Sequence, residues 1–241
     1  MKLLTLGIDT ATKVCTVGLA SNGESIVNYE VNIGMTHSEG LVPQIEQIFS
    51  RTGILKKDIE LISVSIGPGS FTGLRIGLAT AEALAYSWNI PLVGVNTLKA
   101  LAYNIAIEKI RLACILDAQR GNYYLAQFEW EDNELVQKSE VEVISKANLL
   151  EKMALVDKPV LILGESKKIV VNELPKNVKI ASTILKMPKG VSVALVAEKE
   201  YKENEHVKND FFGLEPYYIR RSQAEVMLEE KLNKEKKAKE E

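Results

Sequence analysis

The chain has 241 residues, 46% of them apolar and 26% charged, with a formal net charge of −2. That length and apolar share supply a sizeable core, as one large domain or two lobes sharing an interface, and they exclude global disorder. Near-neutral charge excludes a chain that holds a phosphate backbone by itself, so any nucleic-acid role is shared with a partner.

The N-terminus turns polar at Asp9, too soon for a signal-peptide core, and no later apolar run approaches the roughly 20 residues that span a bilayer. A cytoplasmic protein without membrane contact is expected. Cys15 and Cys114 are the only cysteines; both sit in apolar, strand-like runs and read as small buried thiols, not as a disulfide framework. Strands are predicted over residues 3–9, 14–20 and 25–32, the last two joined by a turn at Asn22-Gly23. Thr36-His37-Ser38-Glu39 has the spacing of a capping box. Leu41, Val42, Ile45, Ile48 and Phe49 follow at helical intervals until Gly53 closes the helix.

Next come a buried strand at 61–66, a glycine-rich turn, a helix over 71–88, a strand at 92–95 after Pro91, and a helix over 98–107. From Arg111 a second series begins. It has a strand at 112–117, a turn at Arg120-Gly121-Asn122, a strand at 123–130, a turn at Asp132-Asn133 and a strand at 136–143. A helix over 146–154, strands at 160–163 and 178–181, and a helix over 191–201 follow. Residues 225–241 are almost wholly Lys and Glu apart from Val226, Met227, Leu228 and Leu232. They read as a charged helix or disordered tail, with Met227-Leu228 as a candidate docking patch.

The opening pattern of strands thus repeats, which suggests a duplicated pair of lobes with ligands in the cleft between them. Asp9 and Asp117 occupy equivalent places, each ending the first strand of its half. Together they are placed to orient a Mg²⁺ ion or water near a phosphate; alternatively, each caps the turn that follows it.

The run Gly67-Pro68-Gly69-Ser70-Phe71-Thr72-Gly73-Leu74-Arg75-Ile76-Gly77 narrows the reading further. Its first glycines permit a tight strand-to-helix turn and Ser70 can cap the new helix. Gly73, Gly77 and Ala81 recur at i, i+4 and i+8 beside Leu74 and Leu78. With Leu41, Ile45 and Ile48 of the first helix they offer a face either to a partner's helices or to the chain's own sheet. On the partner reading, a leucine at Gly77 forces the helices apart while the monomer stays folded. The turn's N–H groups also invite an anion, with Thr10, Gly67 and Gly69 close by, but the lysine of a G-x-x-x-x-G-K-S/T phosphate loop is missing.

Gly7-Ile8-Asp9-Thr10-Ala11, Thr36-His37-Ser38-Glu39, the run from Ser65 to Gly77, Leu116-Asp117-Ala118-Gln119-Arg120-Gly121 and Pro216-Tyr217-Tyr218-Ile219-Arg220-Arg221 together resemble one family. It is the TsaB (YeaZ-type) family of bacterial tRNA threonylcarbamoyladenosine synthesis. The resemblance is strong over residues 1–125 and returns near 215–222. It implies an α/β fold of the ASKHA superfamily (actin-like ATPase, ribonuclease H-like) with two βββαβα-type lobes, the second reduced. These are residues 1–108 and 109–222, followed by a charged tail at 223–241.

The resemblance also implies a role without chemistry of its own. The chain is expected to dimerise with and activate TsaD, the catalytic paralogue that adds threonylcarbamoyl to the adenosine 3′ of the anticodon in tRNAs reading ANN codons. A TsaE-type ATPase completes the complex, tRNA is met through it, and a homodimer is plausible. ATP or ADP and Mg²⁺ belong to the complex, with none held tightly by this chain. The expected partner interface is Leu41, Ile45, Ile48, Gly73, Leu74, Gly77, Leu78 and Ala81; Asp9, Thr10, Gly67, Gly69 and Asp117 are candidate nucleotide contacts. The paralogue's metal-binding histidines, four apart, correspond to Thr97 and Leu101, which cannot hold a metal together. The histidines of this chain, His37 and His206, are far apart in sequence. No catalytic or metal-binding residue is therefore assigned; His37 reads as a packing or partner contact, with a lone acid or base as the alternative, and Arg75 as a contact across an interface rim or to nucleotide. The competing function is an ATP-dependent phosphotransferase using Asp9 and Asp117, or a metallopeptidase-like hydrolase.

Overall fold

A computed structural model describes residues 3–32, 36–203 and 211–219. In the first of its two sheets, β1 (Leu4–Asp9), β2 (Cys15–Ser21) and β3 (Glu24–Val31) form an antiparallel meander. β4 (Leu61–Gly67) and β5 (Leu92–Asn96) join in parallel on the other side of β1, giving the order β3-β2-β1-β4-β5. Strand periodicity divides β1 between two layers: Leu4, Leu6 and Ile8 face α1 (His37–Thr52) and α2 (Phe71–Trp88), while Gly7 faces α5 (Gly190–Glu203). α1 starts at the predicted capping box and ends at Gly53 in the left-handed conformation, φ 70°. α2 starts at Ser70, whose Oγ accepts the Gly73 N–H at 3.2 Å.

The second sheet is built from β6 (Arg111–Asp117), β7 (Asn122–Glu131), β8 (Glu134–Gln137), β9 (Glu142–Ser145), β10 (Val160–Gly164) and β11 (Val178–Ile180). Its order, β11-β10-β6-β7-β8, has β6, β7 and β8 antiparallel and β10 and β11 parallel to β6, while β9 also pairs with β7. α4 (Lys146–Ala154) covers one face and α3 (Thr97–Ala102) reaches the other. The molecule is thus a two-lobe α/β structure.

Three expectations are corrected. The strand expected over 136–143 is broken, because Lys138 N–H donates to Gln127 O at 2.7 Å and Ser139 Oγ accepts from Gln127 N–H at 3.0 Å. This corner sends β8 and β9 to successive stretches of β7. The helix expected over 98–107 stops at Ala102, because the Asn104 amide donates to Met187 O at 2.7 Å and accepts from Ser192 Oγ at 2.8 Å. Finally, α5 follows the second sheet in the chain yet packs on the first. A methyl group at Gly7 would lie 2.1 Å from Gly190 O, and one at Gly18 2.2 Å from Val191 N, so only hydrogen permits this crossing. Thr16 Oγ1 and Asn28 Oδ1 accept the leading N–H groups of Gly190 and Val191 at 3.1 Å each, in place of a local cap.

Cys15 and Cys114 are buried and free. No helix among the described residues is long and apolar enough to cross a membrane. The tail at 223–241 with its Met227-Leu228 patch, His206, Arg220 and Arg221 all lie outside the described residues.

Candidate functional site

The glycine-rich turn leaves the C-terminal end of β4 and meets a backbone carbonyl at each of three glycines. A methyl group would lie 2.7 Å from Tyr217 O at Gly67, 2.4 Å from Ala11 O at Gly69 and 2.0 Å from Thr10 O at Gly73. Gly67 also has a φ of 127°, outside the range of ordinary side chains. The loop between β1 and β2 is pinned onto α2: Ser70 N–H donates to Ala11 O at 2.7 Å, and Thr10 Oγ1 donates to Gly73 O at 2.7 Å. At Gly77 a methyl group would lie 2.2 Å from Thr10 Oγ1. His37, at the start of α1, closes the cluster with Nε2 2.7 Å from Thr12 O, so Nε2 carries the proton. That is the packing role, and it ties the histidine to the loop as a structural strut.

A phosphate cradle presents N–H donors, and on the Cβ side of these glycines the neighbours are carbonyl oxygens. The two carboxylates behave alike in their separate lobes. Asp9 Oδ1 accepts from Ala11 N–H at 3.2 Å and Asp117 Oδ1 from Gln119 N–H at 2.8 Å, each the side chain bonding two residues on that closes a turn. Asp117 Oδ2 is also paired with Lys168 at 2.7 Å. Asp9 is fully buried, and Oδ2 lacks a hydrogen-bond partner among the described residues. Burial pushes its carboxyl up to about 6, with the nearby Ser65 hydroxyl and the Ala11 amide pulling it back. Among the described residues no three His, Cys, Asp or Glu side chains gather as metal ligands. Thr97 and Leu101 are buried in α3, the leucine within the second lobe's core.

The eight expected interface residues lie together but face inward. Leu41, Ile45, Ile48, Leu74, Leu78 and Ala81 are at most 6% exposed, and Gly73 and Gly77 are buried under Thr10. The chain's own sheet and loop fill this face, so a leucine at Gly77 would disturb the monomer itself. α1 and α2 run side by side in the same direction, His37 meeting Gly73 at one end and Phe49 meeting Trp88 edge-on at 6.0 Å at the other. Their outward surface carries Val42, 51% exposed, Tyr86, 63% exposed, half-buried Ile76, and the exposed small residues Ala79 and Ala83 at i and i+4.

Residues 211–219 form an element that hydrophobic periodicity did not announce. Phe211 and Leu214 pack against the first core, Tyr217 N–H donates to Ile66 O at 2.7 Å, and Ile219 joins the core of the second lobe. The segment therefore straps both lobes across the C-terminal end of β4, the place where an open α/β sheet ordinarily receives a ligand. Its aromatic residues were the available signal: Tyr218 stacks on Phe71 with centroids 4.8 Å apart.

The chain matches the family model for TsaD, tRNA N6-adenosine threonylcarbamoyltransferase, over residues 33–228. It is 28% identical over 225 residues to the tRNA threonylcarbamoyladenosine biosynthesis protein TsaB of Bacillus subtilis, covering 92% of this chain and 96% of the relative. It is 31% identical over 147 residues to the protein of the same name from Escherichia coli, covering 60% of this chain and 63% of that relative. Among solved structures, YeaZ from Pseudomonas aeruginosa superposes with a TM-score of 0.75 at 22% identity, covering 90% of this chain and all of that one, which establishes a common fold. The match across most of its length and the run of TsaB relatives place the chain in the tRNA N6-adenosine threonylcarbamoyltransferase (TsaD) family, as a member of the TsaB/YeaZ type.

Proposed function

We propose that this chain is the non-catalytic partner of a TsaD-type transferase, needed for forming threonylcarbamoyladenosine beside the anticodon of tRNA. One observation carries the reading. The C-terminal end of β4 and the turn that follows it, where a parallel sheet ordinarily receives a ligand, are filled by the chain's own Thr10, Ala11 and Tyr217 carbonyls. Catalysis is then left to another subunit, and this chain contributes a surface. We place that surface on the outward side of α1 and α2, around Val42, Ile76, Ala79, Ala83 and Tyr86, in place of the buried stripe. Small residues four apart let a partner helix come close, and four helices packed in this way bury an area of about 1,600 Å² in an ordinary stable complex.

The same strand order in both sheets supports a duplicated pair of ASKHA-type lobes, with the second reduced, and with a boundary near residues 108 and 109 for the sheets while α5 crosses back. The TsaE-type ATPase, ATP, Mg²⁺ and tRNA enter through the complex, a homodimer uses the same outward face when the paralogue is scarce, and the location is cytoplasmic. Reconstitution tests the proposal. The purified chain alone gives no threonylcarbamoyl transfer and no peptidase activity. With the TsaD-type paralogue, TsaE-type ATPase, ATP, the threonylcarbamoyl adenylate and tRNA, transfer appears together with a heterodimer mass in light scattering. Transfer by the single chain, or full transfer in its absence, refutes it.

A further inference from the structure

The outward face of α1 and α2 does not end with the helices, because residues 211–219 continue it. Phe212, 64% exposed, leans on Tyr86 with ring centroids 5.6 Å apart, so two large aromatic surfaces stand side by side. At the other end of the segment the Tyr218 hydroxyl accepts from Arg75 Nε at 3.0 Å, and Arg75 Cζ lies 4.0 Å from the centroid of Phe71. The guanidinium is thereby fixed against two stacked rings, and among the described residues it pairs with no carboxylate. An arginine ordered in the free chain meets a planar acid without the usual loss of side-chain freedom on binding. Tyrosine and arginine are also residue types that concentrate binding energy in protein interfaces, where phenylalanine is enriched as well. A nucleic-acid occupant fits less well: it calls for several cations, whereas Glu215 is exposed on the same segment and Glu82 lies on the same helix.

We propose that residues 211–219 are the second half of the docking surface, and that Arg75 receives a carboxylate of the partner subunit beside an apolar helix edge seated on Tyr86 and Phe212. The inference rests on the partner-subunit reading above. It adds a segment distant in sequence to the interface and makes the strap across the lobes part of the contact.

The test measures affinity of the full chain for the TsaD-type paralogue by calorimetry at low and moderate salt, with circular dichroism on each variant. Phe212→Ala and Arg75→Glu each weaken binding by about tenfold or more. Arg75→Gln, which avoids a reversed charge, weakens it less and flattens the salt dependence. Ala83→Arg, on the helix surface alone, is the control. Unchanged affinity in Phe212→Ala and both Arg75 variants, while Ala83→Arg abolishes the complex, overturns the strap's role and leaves the helix face standing. No effect from Ala83→Arg removes the helix face itself. Loss of self-association alone, with paralogue binding intact, also overturns the inference.

Discussion

Asp9 offers the sharpest separation between a turn-capping carboxylate and a nucleotide-binding one. It is fully buried, and its carboxyl is pushed from an ordinary value of 3.8 up to about 6, chiefly by burial. A folded-state value above the unfolded one means that the native chain holds this proton more tightly. Its contribution is therefore most favourable below the unfolded value and is lost as pH rises through about 6. A shift of this size corresponds to about 3 kcal/mol between the acid and neutral plateaus. Asp9→Asn keeps the oxygen that accepts the Ala11 N–H, removes the charge, and presents an amide donor toward the Ser65 hydroxyl. The variant is expected to gain about 3 kcal/mol over the parent at pH 7.5 and to match it near pH 4. Urea denaturation of both proteins from pH 4 to 8 reads this as two midpoint curves that converge in acid. The same variant, supplied to the reconstituted complex, is expected to support tRNA modification at the parental rate. Parallel midpoint curves refute the burial reasoning, and loss of modification by a folded Asp9→Asn chain refutes the capping role.

Gly77→Ala is expected to lower the thermal midpoint of the isolated chain, because the new methyl group meets Thr10 Oγ1. Overpacking of about 1–3 kcal/mol outweighs the gain in helix propensity, whereas an undisturbed monomer with weakened partner binding would return the stripe to the interface. Val42→Asp on the outward face is expected to leave that midpoint within about 2 °C and to abolish the heterodimer in size-exclusion chromatography, an expectation refuted by co-elution. Glu129, buried in β7 and paired with Arg111 and Lys158, titrates with the opposite sign to Asp9. Burial works against its charge, but hydrogen bonds from Lys158 and Arg111 outweigh it and hold its carboxyl below the ordinary value. Its contribution is then present at neutral pH and lost in acid, and Glu129→Gln is expected to cost about 2 kcal/mol at pH 7 and progressively less toward pH 3 in the same urea series.

Local chemistry made much of the fold legible. A capping box and a left-handed glycine bound α1, Ser70 opens α2, and continuous apolar runs mark the buried strands, because each depends on residues only a few positions apart. The repeated order of strands was readable for the same reason. The break between β8 and β9 and the early end of α3 were not, since both follow from bonds to distant groups, Gln127 in one case and Met187 and Ser192 in the other.

The sequence by itself determined that Gly73 and Gly77 stand on one helical face and that something must approach it closely. Only the tertiary structure decided that the visitor is the chain's own Thr10. A helical repeat specifies which residues share a side but carries no information about what lies opposite, so an internal contact and a partner contact write the same pattern. The same limit hid the role of residues 211–219, whose aromatic rings become a strap only when Ile66, Phe71 and Arg75 are brought beneath them by a fold closed more than a hundred residues earlier in the chain.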